Sequence, residues 1–385
     1  MRVETVTTAE GFAALRDGWD DLACHAHPRS VFLRYDWFAA AWHWRQHDAE
    51  LRIHVARNGD AIAAILPLIR LRGSGRSRRI CTLLTVPDTQ CCDMIANAGS
   101  AIAASEAIAR HLAARRDWDV IILDYLPAHS MIVQHFPAQL QVIHVRAVIE
   151  ERGRNLYIPL ESNWTAYWAT RSRSVKKAAN LAANRLQRTG TTRVERLGPG
   201  VTSDADFERA LAAAISISAR SWKQATGNSL DRPGPGSFIR ALSAAARRHG
   251  WLSLWLVYLD DKPVAMEYQL IHAGNVHALR SDFDASLDHV SPGSFLFRHL
   301  IERLFDGGHT QYLMGPGDNA YKLRWSTEGH SLHRLTGYNR TPAGRIAHWL
   351  DRRAKPPLRA LRDHLYGNKA EDRARDVKTL TGSGR

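Results

Sequence analysis

Cysteine is scarce in this chain: four in 385 residues, at Cys24, Cys81, Cys91 and Cys92. So few cannot make a disulfide framework at this length, and the adjacent Cys91 and Cys92 lack zinc-ligand spacing. All four are expected to be reduced and mostly buried small apolar residues. Long hydrophobic runs are missing as well. The longest, Ala61 to Ile69, is short and carries Pro67, so no bilayer-spanning helix is expected. Met1 to Phe12 is polar and mixed in charge, without the apolar centre of a secretory signal, so a cytoplasmic location is expected. No Gly-x-Ser-x-Gly elbow or comparable cysteine motif occurs, which argues against a covalent serine or cysteine intermediate. His43 and His47 are four apart on a predicted helix, but Trp42 and Trp44 flank His43 and no third ligand is nearby; no metal is expected.

What is present describes a folded chain of two or more domains. Hydrophobic residues make up 45% and charged residues 23%, which excludes large-scale disorder. The net charge of +14 favours anionic partners: nucleic acid, coenzyme phosphates, anionic lipid or acidic glycans.

A weak internal repeat organises the chain. Leu51 to Ala56 reads as a strand, Arg57-Asn58-Gly59-Asp60 as a hairpin turn, and Ala61 to Leu71 as the return strand. Some two hundred residues later Trp251 to Leu259, Asp260 to Lys262 and Pro263 to His272 repeat that pattern, with a third strand at Asn275 to Phe283. Helical character at Ala101 to Arg116 precedes a strand at Asp119 to Asp124; likewise Pro292 to Phe305 precedes a strand at Thr310 to Met314. Each half thus reads hairpin, helix, strand. Between them Glu161 to Gly190 reads as one helix with a basic face (Arg171, Arg173, Lys176, Lys177, Arg185, Arg188), then Asp204 to Lys223 as a helix. Arg232 to Gly236 reads as a loop, with another helix from Ser237. The tail from Thr341 is basic and carries Trp349, and its last dozen residues are expected to be disordered.

The strongest local signal is Ser291-Pro292-Gly293-Ser294. Ser291 is placed to cap a helix, Pro292 fits the first turn, and Gly293 lets a phosphate approach the free amides at a positive helix end.

Several segments together resemble the CelD-like and FemABX-like branch of the GNAT superfamily. They are Phe32-Leu33-Arg34-Tyr35-Asp36-Trp37-Phe38, Ala63 to Leu68, Pro263-Val264-Ala265-Met266-Glu267, Ser291-Pro292-Gly293 and Gly315 to Lys322. The resemblance covers about Phe32 to Trp325 and rests on order and spacing. It implies a mixed α/β fold of tandem GNAT-like halves, each a twisted mixed sheet flanked by helices. It implies an N-terminal half at 1–155, a C-terminal half carrying the active site at 156–340, and a basic tail at 341–385. The implied activity is transfer of an acyl group from acyl-CoA to an amine or hydroxyl. The donor pyrophosphate is expected at Ser291, Pro292, Gly293 and Ser294. Ordinary members carry Gln/Arg-x-x-Gly-x-Gly/Ala there, whereas His289 to Ser294 supplies one glycine; FemABX relatives, which use aminoacyl-tRNA, also lack that loop.

Glu267, among apolar neighbours on the return strand, is the candidate general base, with a pKa expected to be raised; the alternative is a solvent-facing or ion-paired side chain. Tyr321 and Lys322 resemble the aromatic-Lys pair of FemABX reaction centres and complete the catalytic candidates. Arg280, Asp282, Tyr268 and Asp318 are the candidate substrate-binding residues, although Arg280, Asp282 and Asp284 equally fit the solvent face of an edge strand. A small-molecule or glycan-precursor acceptor is expected, with tRNA as partner only in the aminoacyl case. A catalytically decayed scaffold is the non-enzymatic alternative. The basic tail is a candidate for peripheral membrane contact.

Overall fold

The computed structural model describes residues 1–25, 29–73, 78–198, 200 and 203–353. The first half runs β1 (Arg2–Val6), α1 (Ala9–Ala13), α2 (Arg16–His25), α3 (Tyr35–Arg45), β2 (Ala49–Asn58), β3 (Ala61–Leu71), β4 (Ile80–Leu83), β5 (Ile95–Ala96), α4 (Ala101–Ala114), β6 (Val120–Pro127), α5 (Met131–Val142) and β7 (Arg146–Pro159). The second runs α6 (Trp164–Ala169), α7 (Arg173–Thr189), β8 (Thr192–Leu197), α8 (Asp204–Ala219), α9 (Pro233–Arg248), β9 (Leu252–Leu259), β10 (Lys262–His272) and β11 (Asn275–Phe283). It ends with α10 (Pro292–Phe305), β12 (Gln311–Pro316), α11 (Ala320–Leu323), β13 (Gly329–Tyr338) and α12 (Pro342–Arg353).

All thirteen strands among the described residues join one sheet, in the order β1-β2-β3-β4-β6-β13-β7-β12-β11-β10-β9-β8, with β5 beside β3. Read from either end the order is the same, β8 matching β1 and β12 matching β6. The halves trade their last strands: β7 leaves the first half to pair with β12, and β13 leaves the second to pair with β6. Residue 155 falls inside β7, so the sheet is continuous across the expected midpoint.

Local chemistry explains the hairpins. Gly59 alone takes positive φ in the two-residue loop between β2 and β3, where Asn58 pairs with Ala61, as a type II′ turn requires. Asp260 and Asp261 both take positive φ between β9 and β10, a type I′ arrangement that Asp tolerates.

Three helix expectations are corrected. The 161–190 segment is two helices, because Asn163 caps α6 and Ser172 caps α7 through side-chain oxygens. The helix expected to run from Asp204 to Lys223 ends at Ala219, and Trp222–Gln224 forms a separate 3₁₀ turn. The Gly/Pro loop at 232–236 is instead the first turn of α9, where Pro233 needs no N–H partner. The stripe Val175, Ala179, Ala182 and Leu186 of α7 is buried, and α7 packs on α10.

Among the described residues the two larger apolar cores lie on the sheet. One joins α8 and α9 with the first half, through residues such as Trp37, Phe238, Leu254, Met266 and Tyr268. The other lies under α10, with Trp255, Leu300, Leu304 and Tyr312. No helix among the described residues is long and apolar enough to cross a membrane. The last dozen residues lie outside those described.

Candidate active site

The site is built on a parallel strand pair that separates. β11 and β12 pair at Asn275/Gln311, Val276/Tyr312 and His277/Leu313, and the ladder stops there. The cause is visible one strand away. Between β10 and β11 the register slips at Tyr268/Gln269: Gln269 faces Ala278, but Tyr268 faces Arg280, leaving Leu279 as the extra residue of a β-bulge. A bulge bends its strand and adds twist. It falls where β11 leaves β12, and a slot opens between them.

A cleft of 310 Å³ occupies the mouth of this slot. Ser281, Asp282 and Phe283 of β11 form one bank, Tyr321 of α11 another, and Gly293, Ser294 and Phe297 of α10 lie above. A second cavity of 240 Å³ adjoins it, sharing Ser294 and Tyr321 and reaching Ser174 of α7 and Arg324.

Glu267 lies on the cleft wall and is only 1% exposed. Its carboxylate accepts from Tyr312 Oη at 2.6 Å, Gln269 Nε2 at 2.7 Å and Ser281 Oγ at 2.8 Å. A carboxylate offers about four acceptor directions, so one remains for a ligand or water. Burial raises its pKa above the usual 4.5, and the three hydrogen bonds oppose that shift. Tyr321 leaves 43% of its surface open, but its ring packs edge-on against Phe297 at 5.4 Å and lines both cavities, where ionised Glu267 and, were it ionised, Tyr167 would add negative charge near its phenol. Burial first, then those charges, raise that phenol well above its ordinary value of 10.0.

Lys322 does not line the cleft. Its Nζ donates to Gly315 O at 2.7 Å and Pro316 O at 2.9 Å, on the part of β12 that has left β11. Burial lowers its pKa from 10.5 to about 8, against a weaker upward pull from Asp318. A Cβ on Gly315 would stand 3.6 Å from Gln90 Nε2, 3.7 Å from Ala278 O and 3.8 Å from Lys322 Nζ, so these groups converge at the base of the slot. Gln90 comes from the first half. Its amide donates to Ala278 O at 2.7 Å, close to where the ladder with β12 ends, and its oxygen accepts from His277 Nδ1 and Asn155 Nδ2. Burial holds His277 down at about 3, so it stays neutral.

The structure corrects several expected sites. Ser291 does not cap α10. It adopts φ 57°, ψ 51°, and its hydroxyl donates to Asp288 O. Ser294 N–H is taken by Ser291 O at 3.1 Å, leaving Gly293 N–H as the amide offered near the cleft. Pro292 is buried behind it, while Ser291, Gly293 and Ser294 all line the cleft. Arg280 and Tyr268 do not line it. The bulge pairs them with each other, and both are committed elsewhere: Arg280 to Asp88 and Asn228, Tyr268 to Ser243. Asp318 sits outside the cleft with Arg154, at 3.4 Å. Asp282 does line the cleft, but Lys223 Nζ at 2.6 Å and Ser218 Oγ at 2.8 Å hold its carboxylate. β11 is an interior strand, so Arg280, Asp282 and Asp284 are buried rather than forming a solvent face.

The sequence reading missed Ser281, Tyr312 and Gln269 around Glu267, Trp222 at the cleft rim, and the Asp88–Gln90 segment. Only Gln269 had a signal: two positions from Glu267 on one strand, it shares that face.

The first half has the same divergence. β4 and β6 pair at Ile80/Val120, Cys81/Ile121 and Thr82/Ile122 and then part. There the chain folds back on β6, with Cys92 N–H on Tyr125 O at 2.9 Å. The cysteines are free: Cys81 and Cys92 are buried as expected, Cys91 is half-buried and Cys24 is exposed, and burial pushes Cys81 to about 12 and Cys91 to about 11, so those two remain thiols at neutral pH.

Residues 173–323 match the acetyltransferase (GNAT) domain family, a span that contains α7, the bulged strand, α10 and Lys322. By sequence the chain matches none of the curated proteins. Among solved structures, FemX superposes with a TM-score of 0.54 at 13% identity, over 88% of this chain and 97% of that one. A conserved protein of unknown function from Bacteroides thetaiotaomicron gives 0.54 at 12% identity, over 88% and 100%. The C-terminal domain of a putative lysylphosphatidylglycerol synthetase from Agrobacterium fabrum gives 0.51 at 13%, over 88% and 95%. Residues 173–323 thus match a GNAT acetyltransferase domain, and the chain as a whole has the fold of FemX, one sheet in which two similar halves exchange strands.

Proposed function

We propose that the second half transfers an acyl group from acyl-CoA to an amine or hydroxyl acceptor, directly and without a covalent enzyme intermediate. The observation that carries this reading is the slot between β11 and β12, with the buried Glu267 on the wall of its mouth. The donor's thioester arm enters the slot, and its phosphates meet Gly293 and Ser294 at the positive end of α10. Glu267 takes the proton from the acceptor N–H or O–H as that atom attacks the thioester carbon. The C–S bond then breaks, and Tyr321, kept protonated by its surroundings, gives its proton to the thiolate. The Lys322 ammonium, with one of its three N–H bonds uncommitted, adds positive charge at the base of the slot, behind the cleft, and its field favours the negative charge that develops at the thioester carbonyl. Glycan or envelope precursors remain the favoured acceptors, by resemblance to CelD-like proteins alone.

A second reading has a specific observation behind it. Ser294 N–H is already bonded, so the helix end offers less than a full pyrophosphate cradle, and the α7 face exposes Arg173, Lys177 and Arg188. An aminoacyl group carried on tRNA fits that geometry. A panel of acyl-CoA donors with thiol-release detection, run beside salt-dependent retention of charged tRNA, separates the two. Thiol release with any acyl-CoA supports the first reading; tRNA retention without it supports the second.

Activity is expected to follow a bell in pH. The rising limb, from deprotonation of Glu267, lies above the ordinary carboxylate range; the falling limb, from loss of the Lys322 charge, lies near 8. Lys322→Arg keeps its charge and should remove the alkaline limb. An unchanged alkaline limb in that variant would assign it to another group.

A further inference from the structure

A second surface lies on α12, apart from the transfer chemistry. This helix rests on the sheet through Gly344, Ala347 and His348, with Val120 and Tyr338 beneath Ala347. Successive residues turn by about 100° around a helix. Pro342, Arg345, Ile346, Trp349, Arg352 and Arg353 therefore share the opposite arc, and all six are exposed. Ile346 is 57% and Trp349 55% open to solvent. Among the described residues no ion pair joins Arg345, Arg352 or Arg353. The helix's one carboxylate, Asp351, lies off this arc and accepts from the Tyr338 phenol at 2.6 Å.

The combination selects a partner. A nucleic acid would engage the arginines and leave Ile346 in water. A protein interface also uses Trp and Arg, but within a patch of about 20–30 residues a side, whereas this arc is one strip of six residues along a single helix. The boundary of an anionic bilayer satisfies both sets of groups: indole and aliphatic side chains enter below the headgroups while guanidinium groups meet lipid phosphates. The net charge of +14 attracts the chain to such a surface from a distance. We propose that α12 docks the protein on a membrane bearing anionic headgroups, with Trp349 and Ile346 inserted and Arg345, Arg352 and Arg353 on the phosphates. The proposal does not depend on the transferase reading.

The test is flotation of the full chain with vesicles of equal parts phosphatidylglycerol and phosphatidylcholine, and with phosphatidylcholine alone. Wild type should float with the first, less so as salt rises, and only weakly with the second. Ile346→Ser/Trp349→Ser, and separately Arg345→Gln/Arg352→Gln/Arg353→Gln, should each reduce binding by roughly tenfold to a hundredfold. Because every changed side chain points to solvent, the melting temperature should not move. Three results overturn the proposal: wild type that does not float, equal binding to both vesicles, or variants that bind as wild type does. So does an apolar variant that keeps vesicle binding while the arginine variant loses duplex DNA retention, which would make the arc a nucleic-acid surface.

Discussion

Glu267→Gln is expected to lower turnover by roughly 10²–10⁴-fold, the span that a positioned general base contributes. The substitution suits the question because it changes charge and little else. Tyr312 and Gln269 both donate to one oxygen of Glu267, which the glutamine carbonyl can replace. Ser281 reaches the other oxygen, and its hydroxyl can accept from the new amide as readily as it now donates. Donor affinity should therefore stay near wild type while the chemical step fails. Stability supplies an independent check. Because burial raises the folded-state pKa above 4.5, the folded protein binds this proton more tightly than the unfolded chain does. The stability tied to that proton is full below pH 4.5 and is lost as pH rises through the folded value. Glutamine cannot ionise, so the variant should lack that loss and be at least as stable as wild type at neutral pH. Single-turnover kinetics with a donor that releases thiol in the panel, and an amine or hydroxyl acceptor, measures the first effect, and urea unfolding at several pH values the second. Full turnover in a folded Glu267→Gln protein would remove Glu267 from the mechanism.

The second large effect concerns the joint between the halves. Arg280 on β11 has a side chain that is 0% exposed, and its ion-pair partner is Asp88 of the first half, at 2.8 Å. Asp88→Ala leaves that guanidinium in the interior with the Asn228 oxygens and the Trp44 ring, 5.9 Å away, but no opposite charge. Removing one member of a buried pair costs about 3–5 kcal/mol, mostly because the remaining charge stays uncompensated. The same argument predicts that Asp88→Leu with Arg280→Met recovers most of that loss, since no charge is then left inside. Urea denaturation of the full chain reads both. If Asp88→Ala changes stability by less than about 0.5 kcal/mol, within the range of an ordinary surface substitution, the pair does not join the halves.

Strand β11 and helix α10 were bounded correctly at both ends, because positive-φ turns and a Pro at a helix start are local signals. The paired halves were readable from the repeated hairpin. The exchange of β7 and β13 was not, since a strand's partner across two hundred residues leaves no local mark. The misplaced site residues have one source. With a two-residue turn at Ala273–Gly274 pairing His272 with Asn275, regular register puts Glu267 opposite Arg280. The bulge at Leu279 moves Ser281 there instead and turns Arg280 to the other face. No glycine or proline announces this bulge; the groups on either side of it, Ala278 O and Arg280, are held by Gln90 and Asp88, 188 and 192 residues away in the chain. Gln90 illustrates the same limit. Nothing around Cys91 and Cys92 signals that the preceding amide side chain ends against the second half's slot.

The central claim is that a phosphorylated donor meets the start of α10, and Ser294→Glu tests it most directly. A carboxylate in the first turn favours the helix end, so the fold should be unchanged or slightly more stable, while its charge opposes a donor phosphate at the same place. In calorimetric titration, wild type should bind a donor from the acyl-CoA and aminoacyl-tRNA panel. Ser294→Glu should bind that donor at least about tenfold more weakly, with a melting temperature no lower than wild type. Equal affinity in the two proteins, or no donor bound by wild type, would contradict the account.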